Sequence, residues 1–325
     1  MKKFVFFLCV WCLSIDANCQ SLLSELKSPV IFQGNDTMAF RDPAVVFFDG
    51  VFYLFFTLVE TESNGQIFSY TAASHSSDLI NWSSPKKITP RDQNLNYCSP
   101  GNVIRFGNEW ILCLQSYPRP NHYNTQPVRY GNQNARIFYM RSKDLINWGE
   151  PELMMVKGRK VPVEKMGRMI DPYLLEDKDE QGKFWCFYKQ NGVSMSWSYD
   201  LVHWTFQGRA EAGENVCVLT GNNEYIMFHS PKNGIGILKS NNLKNWLPWG
   251  ELITLGQKEW DWSRGRFTAG AVINLNATKG IEKYIMFFHG SGPLSETEGD
   301  FDKNASIGIA WSNDLIDWEY PKGEF

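Results

Sequence analysis

The sequence predicts an all-β protein, a five-bladed β-propeller, and three observations predict it. A strand–turn–strand unit of apolar, aromatic and β-branched residues occurs five times along the chain. A second motif, Ser-x-Asp-Leu-x-x-Trp, occurs once per unit, with Asn replacing Asp in one copy. Each copy follows a third apolar strand, and its Trp begins a fourth segment, so a unit holds about four strands. Four-stranded units repeated in this way stack radially around an axis and leave only short, protected edges.

The first unit opens at Phe40-Arg41-Asp42-Pro43. Strands over 45–48 and 51–56 flank Asp49-Gly50, a pair suited to the φ > 0 positions of a type I′ hairpin turn. The second runs from Ser99-Pro100-Gly101-Asn102 to Cys113. In the third, Ile170-Asp171-Pro172 leads a strand over 173–175, a polar turn over 176–183 and a strand over 184–188. Gly213-Glu214-Asn215 opens the fourth, with strands over 216–219 and 225–228. The fifth starts at Phe267-Thr268-Ala269-Gly270 and returns over 284–288 after a longer connection. The second motif falls at Ser76/Trp82, Ser142/Trp148, Ser198/Trp204, Ser240/Trp246 and Ser312/Trp318. A Trp repeated in every unit belongs to the scaffold, so these side chains are expected to pack between blades and not to form a sugar platform.

Residues 1–19 read as a secretory signal peptide cut before Gln20. Met1-Lys2-Lys3 is basic, 4–15 is apolar but too short to span a bilayer, and Ala17-Asn18-Cys19 ends in small residues. A lipid-anchored Cys19 is the alternative, for which Asp16-Ala17-Asn18 is a poor context. Residues 20–325 are expected to form one propeller domain, because no Pro/Gly/Ser-rich linker divides them. The protein is expected to be secreted or periplasmic, monomeric and without a membrane span. Its formal net charge is −3, with no basic stripe, which disfavours nucleic acid and anionic membrane surfaces as partners. An aromatic content of 15% in a secreted chain suits a carbohydrate partner, whose C–H faces stack on rings. Cys98, Cys113, Cys186 and Cys217 remain after the leader and lack metal-ligand spacing. They read as buried thiols, with a disulfide as the alternative in an oxidising compartment.

The chemistry emerges when the units are compared. Innermost strands of a propeller converge on one end of the axial channel, so equivalent positions face one cavity. Alignment on the first strand brings together Asp42, Ser99, Asp171, Glu214 and Thr268/Ala269. Ser and Thr/Ala show that the scaffold demands no particular side chain there, yet three units carry a carboxylate. Acids gathered at one mouth repel one another and lose hydration, which pushes their pKa values apart. That is the condition for one to act as base and another as acid. Glycoside hydrolysis needs such a pair: an acid to protonate the leaving oxygen and a carboxylate to activate water or attack the anomeric carbon. Asp-Pro alone is a common turn starter, so the weight rests on all three acids together.

Arg41-Asp42-Pro43 before a strand, Ile170-Asp171-Pro172 before a strand and an acidic turn, and Glu214 opening the next inner strand carry a resemblance. In these features the chain resembles glycoside hydrolase family 43 and its relatives, the propellers of arabinanase, β-xylosidase and α-L-arabinofuranosidase type. The likeness extends over nearly the whole chain after the leader. It implies Asp42 as the general base, Glu214 as the general acid and Asp171 as the auxiliary carboxylate that orients the acid and tunes its pKa. It further implies inversion at the anomeric carbon of a plant or algal saccharide. No cofactor is required, and no metal-ligand set is read; a structural Ca2+ on the propeller axis, near a central histidine such as His289, is the one ion the resemblance allows. Two departures stand out: Asn215-Val216 follow Glu214 where the family often has Gly-Pro, and Arg41 is an uncommon neighbour for the base. Arg41-Asp42-Pro43-Ala44 also lacks the Asn-Asp-Pro-Asn pattern of the sucrose- and fructan-cleaving relatives.

Polar residues near the strand ends are the substrate-binding candidates: Arg41, Asn102, Arg168, His229, Arg266 and His289, with Ser230 and Arg264 beside them. Long polar loops over 94–101, 116–134 and 157–169 are expected to be functional. The last two are expected to wall the pocket and favour exo-cleavage. Three alternatives remain open: a glycoside phosphorylase, a relative of family 117 using His229 or His289 as acid, and a non-catalytic carbohydrate-binding propeller.

Overall fold

The computed structural model describes residues 22–128, 130, 133–221 and 223–323; the expected leader and Cys19 lie outside the described residues. Five antiparallel sheets form five blades, each built outward from the axis in chain order. Blade one contains Met38–Phe48, Val51–Thr61, Ile67–Ser76 and Lys86–Lys87. In blade two, Tyr97–Cys98 and Val103–Phe106 both lie against Glu109–Ser116, followed by Ile137–Ser142 and Glu152–Leu153. Ile170–Glu176, Phe184–Lys189, Val193–Ser198 and Thr205–Ala210 make blade three. Blade four comprises Glu214–Gly221, Glu224–Lys232, Gly234–Ser240 and Leu247–Pro248.

Blade five contains Arg266–Asn274, Tyr284–Ser291 and Ser306–Ser312, and its outer edge is shared. Trp318–Glu319 pairs with part of Ser306–Ser312, and Val30–Phe32, from the other end of the chain, pairs with the rest. This pairing closes the ring and is not evident from the repeats. Among the described residues, no helix is long and apolar enough to cross a membrane.

Second strands carry much of the core, with Phe52, Phe56, Phe187, Phe228 and Phe287 fully buried. Three of the motif tryptophans pack as expected on a neighbouring blade: Trp82 on Phe287, Trp148 on Phe55 and Trp318 on Phe228. The motif is a self-contained turn. Ser76 Oγ accepts the Leu79 amide, Asp78 Oδ1 accepts the amides of Ile80 and Asn81, and Trp82 Nε1 donates back to the Leu79 carbonyl. The leucine is buried in the left-handed region in all five copies, at φ 62, 66, 58, 61 and 72 for Leu79, Leu145, Leu201, Leu243 and Leu315. The four cysteines are buried free thiols. Burial pushes Cys98 and Cys113 up to about 12 and Cys217 to about 11, well away from reactive thiolate.

Every inner strand breaks at the same point. Asp42, Ser99, Asp171, Asn215 and Ala269 have φ of 47, 43, 51, 53 and 56. In blades one, three, four and five the pairing register also shifts there, the mark of a β-bulge. Bulges re-aim a side chain, here toward the axis. One correction follows. The bulge residue of blade four is Asn215, whereas Glu214 lies one step earlier, level with Arg41, Cys98, Ile170 and Thr268. Asp-Pro anchors the alignment in blades one and three, and blade four has no proline to fix the register. Gly101 follows the bulge of blade two, where an added Cβ would sit 1.5 Å from the Pro172 carbonyl oxygen, so only glycine permits this approach of blades two and three.

Candidate active site

The bulges surround the axial channel, which is lined by Asp42, Pro43, Ser99, Pro100, Asp171, Pro172, Asn215 and Val216. Side chains on the second strands tie neighbouring bulges together. Thr57 Oγ1 of blade one accepts the Ser99 amide at 2.7 Å, and Gln115 Oε1 of blade two accepts the Asp171 amide at 2.5 Å. Ser230 Oγ of blade four accepts the Ala269 amide at 3.1 Å, and His289 Nδ1 of blade five accepts the Asp42 amide at 3.0 Å. Each acceptor stands level with the residue before its own blade's bulge, so the contacts form a ring around the channel mouth.

Above the ring lies a pocket of about 120 Å³, lined by Asp42, Asp171, Glu214, Asn215, Glu296 and Asp302, three arginines and several aromatic rings. Asp42 is buried. Its Oδ2 accepts from Thr57 at 2.9 Å and Ser99 at 3.0 Å, and its Oδ1 from Asn215 Nδ2 at 3.3 Å. Burial, together with the charges of Glu214 and Asp42, pushes the Asp171 carboxyl well above the usual carboxylate range. Half-exposed Glu214 accepts from Arg266 at 3.0 Å.

The opposite wall comes from the blade-five connection that includes the short helical turn Glu296–Asp300. Glu296 meets Arg41 at 3.0 Å and Arg266 at 3.9 Å. Burial opposes its ionisation, but Arg41, His289 and Arg266 outweigh burial and hold it at about 2. Arg41 also donates to the Phe301 carbonyl at 2.6 Å and lies 4.2 Å from the centre of that ring. A second buried pair, Arg119–Asp302 at 2.6 Å, is joined by His122 at 3.1 Å. Tyr117, Tyr130 and Phe301 give the pocket an aromatic side.

The residues expected from sequence divide into two groups. Asp42, Asp171, Glu214, Arg41 and Arg168 line the pocket, Arg266 reaches it through Glu214, and His289 lies behind Asp42. Asn102 lies elsewhere. Its Nδ2 donates to the Leu174 carbonyl at 2.7 Å and its Oδ1 accepts the Leu174 amide at 2.8 Å, which makes it a staple between blades two and three. His229 is buried beside the pocket, accepting the Gly213 amide at 2.8 Å; burial and the Lys189 charge push it down to about 4. Arg264 pairs with exposed Asp261 at the surface.

Both His289 nitrogens are engaged, since Nδ1 accepts from Asp42 and Nε2 faces Glu296 at 3.4 Å. The donor set therefore does not fit an ion ligated directly by His289. No group of three His, Cys, Asp or Glu arranged to hold a metal ion occurs among the described residues. Loops 116–134 and 157–169 do wall the pocket, through Tyr117, Arg119, Tyr130 and Arg168. The blade-five wall escaped the sequence reading. The signal was the acidic, aromatic run Glu296-Thr297-Glu298-Gly299-Asp300-Phe301-Asp302, which follows a second strand and so returns to the mouth.

No protein-family model and no curated protein sequence matches this chain. Solved structures do. A thermostable family-43 glycoside hydrolase is similar at TM-score 0.59 and 14% identity, covering 92% of this chain and 96% of its own. The catalytic domain of the GH62 α-L-arabinofuranosidase of Coprinopsis cinerea is similar at TM-score 0.57 and 14% identity, covering 88% and 99%. An exo-1,5-α-L-arabinanase from a bovine ruminal metagenomic library is similar at TM-score 0.58 and 14% identity, covering 88% and 98%. At this identity the likeness is one of fold, and the chain has the five-bladed propeller of these glycoside hydrolases.

Proposed function

We propose that this chain is a glycosidase that hydrolyses a glycosidic bond at the channel mouth, with water as the nucleophile. One observation carries the reading: carboxylates from blades one, three and four meet in one pocket, in different environments. Asp42, held by hydroxyl and amide donors, takes the proton from a water as that water attacks the anomeric carbon. Glu214, the most exposed of the three, gives a proton to the departing oxygen. Asp171 is the auxiliary carboxylate beside it, and its burial and raised pKa favour a protonated form that can donate to a neighbouring carboxylate. Arg266 holds Glu214 until substrate enters, and Arg168 offers donors to sugar hydroxyls. Attack by water opposite the leaving group inverts the anomeric carbon. A pocket walled by Tyr130, Phe301 and the 116–134 and 157–169 loops suits a terminal sugar and exo-action.

The alternatives have less support. His289 is buried behind the base with both nitrogens engaged, and His229 faces Gly213, so neither is presented to a leaving oxygen. The arginines nearest Asp42 are matched by Glu296 and Asp302, carboxylates that would repel a phosphate nucleophile.

The test is turnover of aryl α-L-arabinofuranosides, β-D-xylosides and β-D-galactosides by the chain from Gln20, beside Asp42→Asn and Glu214→Gln. Hydrolysis of at least one substrate is expected, with kcat reduced by ~10³-fold or more in each variant. The first-formed anomer, read by proton NMR, is expected to be inverted. Near wild-type turnover in both variants would remove the carboxylates from the mechanism.

A further inference from the structure

The three acids come from three blades, and one residue connects them. Asn215 follows Glu214 in the chain, and its Nδ2 donates to Asp42 Oδ1 at 3.3 Å. Its backbone amide counts among the groups that favour the charged form of Asp171 against burial. This second contact coincides with a gap in the ring of acceptors. Thr57, Gln115, Ser230 and His289 each accept the next blade's bulge amide. At the same level in blade three stands Lys189, paired with Ile170, and an ammonium group has no lone pair to offer. The preceding blade therefore leaves the Asn215 amide unclaimed, and Asp171 is its neighbour.

The side chain adds the link to Asp42. A φ of 53 favours Gly, and Asn is among the few other residues that adopt it readily. Glycine would serve the backbone equally well but would bring no donor. Asp42 Oδ2 already accepts from Thr57 and Ser99, whereas Oδ1 accepts from Asn215 alone; His289 Nδ1, 3.5 Å from Oδ1, is itself an acceptor of the Asp42 amide, so Oδ1 is the oxygen that keeps an open acceptor position.

We propose that Asn215 is a positioning residue for Asp42: it fixes which carboxylate oxygen faces the attacking water and ties the base to the strand that carries Glu214. The inference rests on the reading of Asp42 as base. Asn215→Gly and Asn215→Asp test it. Glycine keeps the backbone amide and suits the positive φ, so it deletes the donor alone. Asp42 then loses a bond that favours its charged form. The acidic limb of kcat/KM, which reports the base in the free enzyme, is expected to move up by roughly half to one pH unit. A fall in kcat of ~3–10-fold is expected beside it. Asn215→Asp places a like charge near Asp42 and moves the limb further in the same direction.

A residue that merely holds the turn would leave the limb where it is, and an unmoved limb in both variants would overturn the proposal. A second readout does not depend on turnover. The Asp42 carboxyl is titrated by carbon-13 NMR in Asp-labelled protein, its signal assigned by its loss in Asp42→Asn. An upward shift of that titration in Asn215→Gly, in protein that hydrolyses nothing, supports the bond and removes only the reading of Asp42 as base. An unshifted titration overturns the proposal whatever the activity.

Discussion

The outer turns and the channel mouth repeat the same number of times but in opposite senses. At the outer turns, five copies share both backbone and side chains: Ser, Asp or Asn, a left-handed Leu, and a Trp that closes the turn. At the mouth, five bulges share a backbone conformation but carry Asp, Ser, Asp, Asn and Ala. Carboxylates respond accordingly. Side-chain and backbone donors of Asn81 hold Asp78 down to about 2, and the backbone and side-chain donors of Asn147 lower Asp144. Burial, with Glu214 and Asp42 beside it, pushes Asp171 the other way. Repetition of backbone and side chain together marks scaffold; repetition of backbone beneath differing side chains marks chemistry. Substitutions at four positions break or sharpen this contrast.

The largest effect is expected from Asp171→Asn. Its raised folded pKa means that the charged form is disfavoured on folding, so Asp171 costs stability as pH rises from the ordinary carboxylate range toward its own pKa. Asparagine removes the titrating group and with it that cost. We expect kcat to fall by ~10²–10³-fold while the melting temperature at pH 7 rises, the gain vanishing near pH ~4. Thermal melts at both pH values and kcat at pH 7 check this. A drop in melting temperature at pH 7 would place Asp171 with the scaffold.

Next is Glu296→Gln, which probes whether a mouth carboxylate can be structural. Arg41 is buried against Glu296, and removing the charge leaves the guanidinium with the neutral Phe301 carbonyl but without its carboxylate, for a loss of ~3–5 kcal/mol at pH 7. The sign with pH is fixed by the pKa. Glu296 is held at about 2 against the usual 4.5, so its contribution is fully present above pH 4.5 and is lost as pH falls toward 2. Urea melts of the two proteins should therefore converge on acidification. A constant gap would assign the loss to packing.

Asn102→Ala is smaller. The staple on the Leu174 backbone predicts a loss of ~1–2 kcal/mol with KM unchanged, because the side chain faces another blade and not the pocket. A raised KM with unchanged stability would return Asn102 to the substrate. This residue illustrates what sequence could and could not convey. Proximity to a strand end was legible, but the direction of the side chain was not. The blade count, the outer turns and the mouth acids were legible because each is local: a turn signal, a motif seven residues long, an Asp-Pro before a strand. What escaped depends on distance along the chain. Arg41 meets Phe301 across 260 residues, and Val30 pairs with Gly308 to close the ring. Blade four slipped by one residue because Asn215-Val216 offers no proline to set the register against Asp42-Pro43 and Asp171-Pro172.

The smallest effect is expected at the outer turns, from Asp144→Ala. Asp144 Oδ1 accepts the amides of Ile146 and Asn147 at 3.0 and 2.8 Å, and Oδ2 accepts Asn147 Nδ2 at 2.8 Å. The carboxylate is exposed, so water replaces most of what is lost, and the net change is roughly 0.5–1 kcal/mol. The buried Leu145 and the Trp148 bond to its carbonyl remain to hold the turn. Asp144→Asn should recover most of the loss, since Asn242 already fills this role in blade four with the same two backbone bonds at 3.0 Å. Turnover should be unchanged in both variants. An Asp144→Ala protein with normal stability but altered kcat would mean that repetition of side chains does not distinguish scaffold from chemistry in this fold.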